Sequence, residues 1–301
     1  MDLSILYAWH KDIVFHVLTH MKVDNASNIF NEVYVQEIRQ EKKRLGITDD
    51  LIGHIEALTD YYIKNFERLS IINFIPFITN SFEELTQTIV NWGSFTEADK
   101  GNFINNFITI LEKERVFYHA YWHHKDNMLK YRKDIVEKNL NDRLTLFKCL
   151  FDYYKQCKHM KVEVLLSYSM GQNGRGSCNQ NSQLVALPFP FDENNEEDTF
   201  FMALHELTHP CTDNLVGEGK DISMKDGSHA LTENIVMIAD YEIIKEVNPI
   251  LVESYFKWIC NKSGNPTVQL DEDMFYNVFV IPAQIKEGLK ECIREIVQFL
   301  N

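Results

Sequence analysis

The sequence of 301 residues predicts an α+β protein that is predominantly helical. Through most of the first half of the chain, apolar residues recur every three to four positions, as they do on one face of a helix. Near residue 159 this pattern gives way to two short runs rich in β-branched and apolar residues, and the helical spacing then returns. We therefore expect a helical N-terminal region, residues 1–158, and a second region, residues 159–301, that contains a small sheet.

The helices expected in the N-terminal region are separated by turns rich in glycine, asparagine or aspartate. They cover residues 28–44, 49–69, 82–92, 96–121 and 140–158. Two further helices are expected near the C terminus, at residues 248–260 and 283–300. The boundary near residue 159 rests on the change of pattern, because no linker composition marks it.

Two short strands are expected at residues 162–168 and 182–187. The segment between them, residues 171–177, contains three glycines and predicts a flexible loop. Pro188 and Pro190 end the second strand, and because proline lacks a backbone donor they are compatible with a sheet edge.

Composition and charge restrict the setting and the partners. A net charge of −14 argues against nucleic acid or an anionic membrane as a partner. The chain begins without a basic segment and has no apolar run of the length of a signal core or a membrane span. Its six cysteines form no CxxC pair, so we expect a reduced, cytoplasmic setting.

The most informative motif is HELTH at residues 205–209. Residues four apart on an α-helix lie about 40° from superposition and about 6 Å apart along the axis, so His205 and His209 can bind one Zn²⁺ ion from the same face. Glu206 can then reach a water held by that metal and act as a general base. The motif therefore predicts a metal centre with catalytic potential.

The sequence around the motif favours a helix. Asp198 and Thr199 are N-cap candidates that follow an acidic run, and mostly apolar residues come next. Pro210 directly follows the second histidine, so the helix is expected to end or kink within a turn of it.

A zinc site needs a third protein ligand, and several carboxylates are available. Asp213 can serve only if the helix continues past Pro210, and Glu218 lies in a Gly-flanked segment. Glu233 is the best choice, because it lies on a second expected helix that runs to about residue 247.

With Glu233 in this place, residues 160–245 resemble the gluzincin clan of zinc metallopeptidases, the thermolysin-like group. The resemblance implies a zincin-like fold with one Zn²⁺ ion held by His205, His209 and Glu233, with Glu206 as the base. In the clan an aspartate often follows the ligand glutamate by four residues, but Met237 stands there in this chain. Asp240, on nearly the same helical face as Glu233, is the candidate for its role of bonding a metal-binding histidine.

The resemblance also implies how a substrate is bound. The strand at 182–187 would be the sheet edge that pairs with an extended peptide, and Arg175 would meet a substrate carboxylate. A tyrosine or histidine from the C-terminal part would stabilise the oxyanion, for which Tyr276 and His229 are the leading candidates and Tyr241 a weaker one. Each of these is also compatible with an ordinary packing role.

Two other histidine pairs have the same spacing but lack the glutamate: His16 with His20, and His119 with His123. Packing among neighbouring aromatic residues is the simpler interpretation of both pairs. For the whole chain, a zinc peptidase is the leading hypothesis. The alternatives are a zinc hydrolase of a small amide or modified metabolite, with the helical half as a lid, and a non-enzymatic helical binding protein. The oligomeric state stays open.

Overall fold

A computed structural model describes residues 3–23, 28–157, 161–178, 182–212, 215 and 228–300, apart from the side chains at positions 50, 52, 154–157, 178, 228 and 229. The described chain is mostly helical and contains one four-stranded sheet, as the sequence predicts. None of its helices combines the length and the apolar character needed to cross a bilayer.

The strands are β1 (Leu3–Leu6), β2 (Lys161–Ser167), β3 (Arg175–Cys178) and β4 (Ser182–Pro188). The α-helices are α1 (Trp9–Leu18), α2 (Glu32–Leu45), α3 (Asp50–Lys64), α4 (Phe66–Leu69), α5 (Phe82–Val90), α6 (Glu97–Asp99), α7 (Asn105–Met128), α8 (Lys130–Leu146), α9 (Lys148–Cys157), α10 (Glu196–Thr212), α11 (Ser228–Val247), α12 (Val252–Lys262), α13 (Glu272–Val278) and α14 (Ala283–Val297). Short 3₁₀ turns lie at Ser70–Asn73, Ile75–Ile78, Glu193–Asn195, Pro249–Leu251 and Gln298–Leu300, and a π-helical turn lies at Lys100–Ile104.

Local sequence explains where several helices begin and end. Asn31 caps α2 by accepting a hydrogen bond from the backbone of Tyr34, and Gly46, at a φ of 69°, ends this helix in the left-handed conformation. Ser81 caps α5 in the same way. At α6, Thr96 and Asp99 form a reciprocal capping box. These caps lie within a few residues of the boundaries expected from the sequence.

The sheet has the strand order β1-β2-β4-β3. β1 pairs with β2 in parallel, β2 pairs with β4 in parallel, and β3 pairs with β4 in the antiparallel direction. The expected strands at 162–168 and 182–187 are confirmed as β2 and β4. β1 comes from the region expected to be helical, so the sheet draws strands from both sides of residue 159.

Two sequence-based expectations about the sheet are wrong. Residues 171–177 were expected to be only a loop, but their last part forms β3. The strand at 182–187 was expected to be the sheet edge, yet β4 lies between β2 and β3, and β3 is the edge. The reason is that β3 and β4 form a local antiparallel hairpin, and the glycine-rich segment lacks the β-branched and aromatic residues that usually indicate a strand.

A buried carboxylate joins the N-terminal helices to the sheet. Asp12 of α1 accepts hydrogen bonds from the backbone of Tyr168 at 2.9 Å, from Ser169 Oγ at 2.9 Å and from Trp122 Nε1 at 3.1 Å. It also accepts one from Ser167 Oγ. Because these donors lie on α7, at the end of β2 and just after it, Asp12 connects α1, α7 and the end of β2.

Candidate metal centre

Helix α10 carries the HELTH motif and begins earlier than the sequence suggests. Its expected caps were Asp198 and Thr199, but the helix starts at Glu196, after a 3₁₀ turn that Asp192 caps. The Glu196 carboxylate is held by Asn139 Nδ2 at 2.7 Å and by Arg132 at 2.6 Å, which fixes the first turn. The helix includes Pro210 and is described as far as Thr212.

The structure brings together the three side chains that the sequence analysis selected as metal ligands. His205 Nε2 lies 3.3 Å from His209 Nε2 and 3.1 Å from Glu233 Oε2. His209 Nε2 lies 3.7 Å from Glu233 Oε1. Among the described residues, this is the one group of three or more potential ligands whose donor atoms lie so close together.

These spacings fit a tetrahedral zinc site. Donor atoms about 2.0–2.1 Å from a tetrahedral metal lie about 3.3 Å from one another. The two histidine nitrogens lie 3.3 Å apart, and each lies 3.1 Å or 3.7 Å from a different oxygen of Glu233, so the separations are close to that value. Two imidazoles and one carboxylate are also a donor set that zinc uses in catalytic sites, where a fourth position is left for water or substrate.

Asp240 takes the supporting role that was suggested for it. Its Oδ2 lies 3.0 Å from His205 Nδ1, and the side chain is fully buried beside the Tyr255 hydroxyl at 3.4 Å. A hydrogen bond at Nδ1 orients the ring and leaves Nε2 facing the other ligands. Burial by itself would lower the pKa of His205, but the hydrogen bonds and charges of Asp240 and Glu233 outweigh it and hold that pKa well above its ordinary value.

Glu206 lies beside the ligands and against the edge strand. Burial raises the pKa of its carboxyl group, although the charges of the two histidines and Arg175 oppose the shift. A β-carbon at Gly176 would lie 2.6 Å from Glu206 Oε2, and one at Gly174 would lie 2.8 Å from Oε1. The two glycines therefore allow β3 and the residue before it to approach the carboxylate, a role that the sequence pattern does not indicate.

The ligands and Glu206 line a cavity of about 680 Å³, a size typical of small-ligand sites. β3 and the segment before it form one wall, and Met202, Trp258 and Lys262 contribute to another. Phe74 and Asn28 from the N-terminal region also line it. The helical half of the chain therefore contributes residues to the wall of the site.

The structure does not bring Tyr276, one of the two leading oxyanion candidates, to this cavity. Tyr276 lies on α13, outside the cavity lining, and its hydroxyl donates a hydrogen bond to Glu242. Tyr241 is buried with its ring stacked on Phe256. His229 belongs to α11, but its side chain lies outside the described residues, as do Asp213 and Glu218.

Arg175 lines the cavity but is largely buried. Its Nε donates to Asn73 Oδ1 at 3.2 Å and its Nη1 donates to the Gly174 carbonyl at 2.6 Å. Burial lowers the pKa of the guanidinium, while the charge of Glu206 acts in the opposite direction. The sequence-based suggestion that it meets a substrate carboxylate stays a prediction.

The other two histidine pairs make packing and hydrogen-bonding contacts. His16 Nδ1 lies 2.7 Å from the Tyr34 hydroxyl and its Nε2 lies 3.2 Å from Glu114 Oε2. His119 and His123 are exposed, with ring centroids 4.4 Å apart. Neither pair belongs to a ligand cluster within the described part of the chain.

Comparison of the chain with models of protein families finds no match, and comparisons with characterised proteins and with solved structures find none either. What can be said about function therefore rests on the geometry of the site.

Proposed function

We propose that the protein is a zinc-dependent hydrolase of amide bonds, most simply a peptidase with a zincin-like catalytic region. One observation carries the proposal: His205, His209 and Glu233 offer donor atoms within 4.8 Å of one another, and Glu206 lines the same cavity. A bound zinc ion supplies Lewis acidity, which polarises a carbonyl group and makes a nearby water more acidic at neutral pH.

The chain's own residues account for the proton transfers. Glu206 accepts a proton from the attacking water, and its raised pKa brings it closer to the working range of a general base. The water oxygen bonds to the carbonyl carbon, the C–N bond breaks, and Glu206 returns the proton to the leaving amine. Asp240 holds the His205 ring in place throughout.

A hydrolase of a small amide is the second candidate, and the size of the cavity favours it, since about 680 Å³ suits a compact ligand. A purely structural role for the motif is disfavoured because the two imidazoles converge on a point shared with Glu233. A reduced, cytoplasmic setting is part of the proposal, because the six cysteines of the sequence form no CxxC pair and no dense framework.

The experiment combines metal analysis with a peptide-library digest of the wild-type protein and Glu206→Gln. We expect about one zinc per chain in both proteins. Peptide cleavage should fall by at least about 10²-fold in the variant, because it cannot accept the proton. Equal cleavage by both proteins would reject Glu206 as the base. Absence of peptide cleavage by the wild-type protein, with hydrolysis of small amides, would favour the second candidate.

A further inference from the structure

The cavity is lined by two cationic side chains that have no role in the proposed hydrolysis. Apart from Glu206 and the ligand cluster, the charged side chains among its described lining residues are Arg175 and Lys262, and both are cations. The whole chain carries a net charge of −14, so these two cations stand out against the general charge of the protein. Arg175 and Lys262 are therefore the lining groups that would attract a negatively charged part of a ligand.

Lys262 is the last residue of α12, and its ammonium group lies partly buried in the cavity wall. It donates a hydrogen bond to the Gln172 carbonyl and lies 3.3 Å from Asp198 Oδ2. Among the described residues it also contacts the thioether sulfur of Met202, at 3.4 Å. Since an ammonium has three N–H donors and a thioether is a weak acceptor, a negatively charged ligand would be a better partner in that direction.

Partial burial strengthens this argument. It lowers the pKa of Lys262, and the charge of Asp198 opposes the shift only in part. A second anion would stabilise the charged form further, so the ammonium has a physical reason to bind one.

The position of Lys262 relative to the edge strand indicates which end of a peptide it meets. Its partner Gln172 precedes β3 by three residues, so the contact lies near the end at which β3 begins. A peptide that adds to β3 in the antiparallel direction runs opposite to it, and antiparallel pairing is the more stable arrangement. The carboxyl end of such a peptide therefore points towards Gln172 and Lys262.

We infer that Lys262 is a specificity-determining residue that binds the free C-terminal carboxylate of a peptide substrate, with Arg175 adding to the positive potential. The protein then acts on short peptides from their carboxyl end, which suits a cavity of about 680 Å³. This inference rests on the proposed peptidase function and names its substrate class.

The first test uses a pool of N-acetylated tetrapeptides, each present as the free acid and as the C-terminal amide. The wild-type, zinc-loaded protein is incubated with the pool, and the products are quantified by mass spectrometry. We expect kcat/KM for the acids to exceed that for the amides by about 10- to 100-fold, the range for one charge-assisted hydrogen bond. Equal rates for acids and amides would overturn the role of Lys262 while leaving the peptidase proposal in place.

The second test measures binding without turnover. Immobilised Glu206→Gln protein, loaded with zinc, is exposed to the same pool, and the retained acids and amides are compared. Preferential retention of the acids supports the inference even if no peptide is cleaved. Equal retention overturns it. Absence of cleavage by the wild-type protein counts against the proposed function, so the two failures are distinguishable.

Variants separate recognition from structural support. Lys262→Met should bring the acid-to-amide ratio close to one, and Lys262→Arg should restore much of the preference. Lys257→Met is the matched control, because Lys257 lies exposed on the same helix and does not line the cavity. If Lys262→Met lowers the rates on acids and amides equally, Lys262 acts only as a tether between α12 and the segment before β3.

Discussion

A methyl group added at Gly176 tests whether the edge strand positions Glu206. In Gly176→Ala the new β-carbon would lie 2.6 Å from Glu206 Oε2, whereas ordinary contact begins at 3.4 Å. The carboxylate must therefore retreat by about 0.8 Å, the difference between these two distances. The backbone itself is not strained by alanine, because the φ of Gly176 is not positive.

Gly176→Ala is expected to lower kcat/KM and to leave the free energy of unfolding nearly unchanged. The atom that must move is at the end of a flexible side chain, so we expect the free energy of unfolding to change by less than about 1 kcal/mol. A misplacement of about 1 Å at a reacting group costs roughly 10²-fold in rate, which corresponds to about 2.7 kcal/mol in the activation free energy. Zinc content should stay the same, because the ligands are on α10 and α11.

The assay compares kcat/KM on a peptide that the wild-type protein cleaves, together with zinc content and thermal unfolding. Gly101→Ala is the control, since a β-carbon there meets no atom within 4 Å. If Gly176→Ala keeps kcat/KM within about threefold of the wild-type value, the edge strand does not hold Glu206 in its working position.

Three further predictions concern the metal and the fold. Asp240→Asn should weaken zinc binding by about 10- to 100-fold in a chelator competition, because the hydrogen bond to His205 Nδ1 is impaired. Glu242→Gln on the same helix is the control, and an unchanged zinc affinity of Asp240→Asn would contradict the prediction. Removing zinc with a chelator should lower the midpoint of thermal unfolding. Adding zinc back at about 100 times its Kd should raise the free energy of unfolding by about 2.7 kcal/mol. A midpoint that does not change with zinc would count against the site. Hydrogen bonds from Arg68 hold the pKa of Asp99 below its ordinary value, so its contribution to stability is present above about pH 4 and is lost at lower pH. Urea titrations should show Asp99→Asn less stable than the wild-type protein by about 1 kcal/mol at pH 7, with the difference shrinking steadily as the pH falls below about 4, and a pH-independent difference would refute the assignment.

The site could be predicted from the sequence where short-range geometry is sufficient. The spacing of His205 and His209 on one helical face follows from the helix repeat, and so does the placing of Asp240 seven residues after Glu233. The structure confirms α10 and α11 as the helices that carry these residues. The periodicity of the N-terminal half predicted helices there for the same reason.

What could not be predicted depends on contacts between residues far apart in the chain. β1 pairs with β2 across more than 150 residues, so a strand from the start of the chain completes one side of the sheet. Tyr276 was a reasonable oxyanion candidate from its position in the sequence, yet its hydroxyl bonds to Glu242 on the outer side of α11. Strand order and the packing of one helix against another are determined by the burial of whole faces, and local patterns do not specify them.

The sequence alone predicts a mostly helical protein with one helix that can bind a metal. Both predictions depend on residues within one or two helical turns of each other. The tertiary structure decides the rest. Glu233 lies next to the two histidines, and Gly174 and Gly176 lie close to Glu206. Lys262 and residues of the N-terminal half line the cavity. Those juxtapositions arise from the packing of distant segments into a common core, which is why they become visible only in the folded chain.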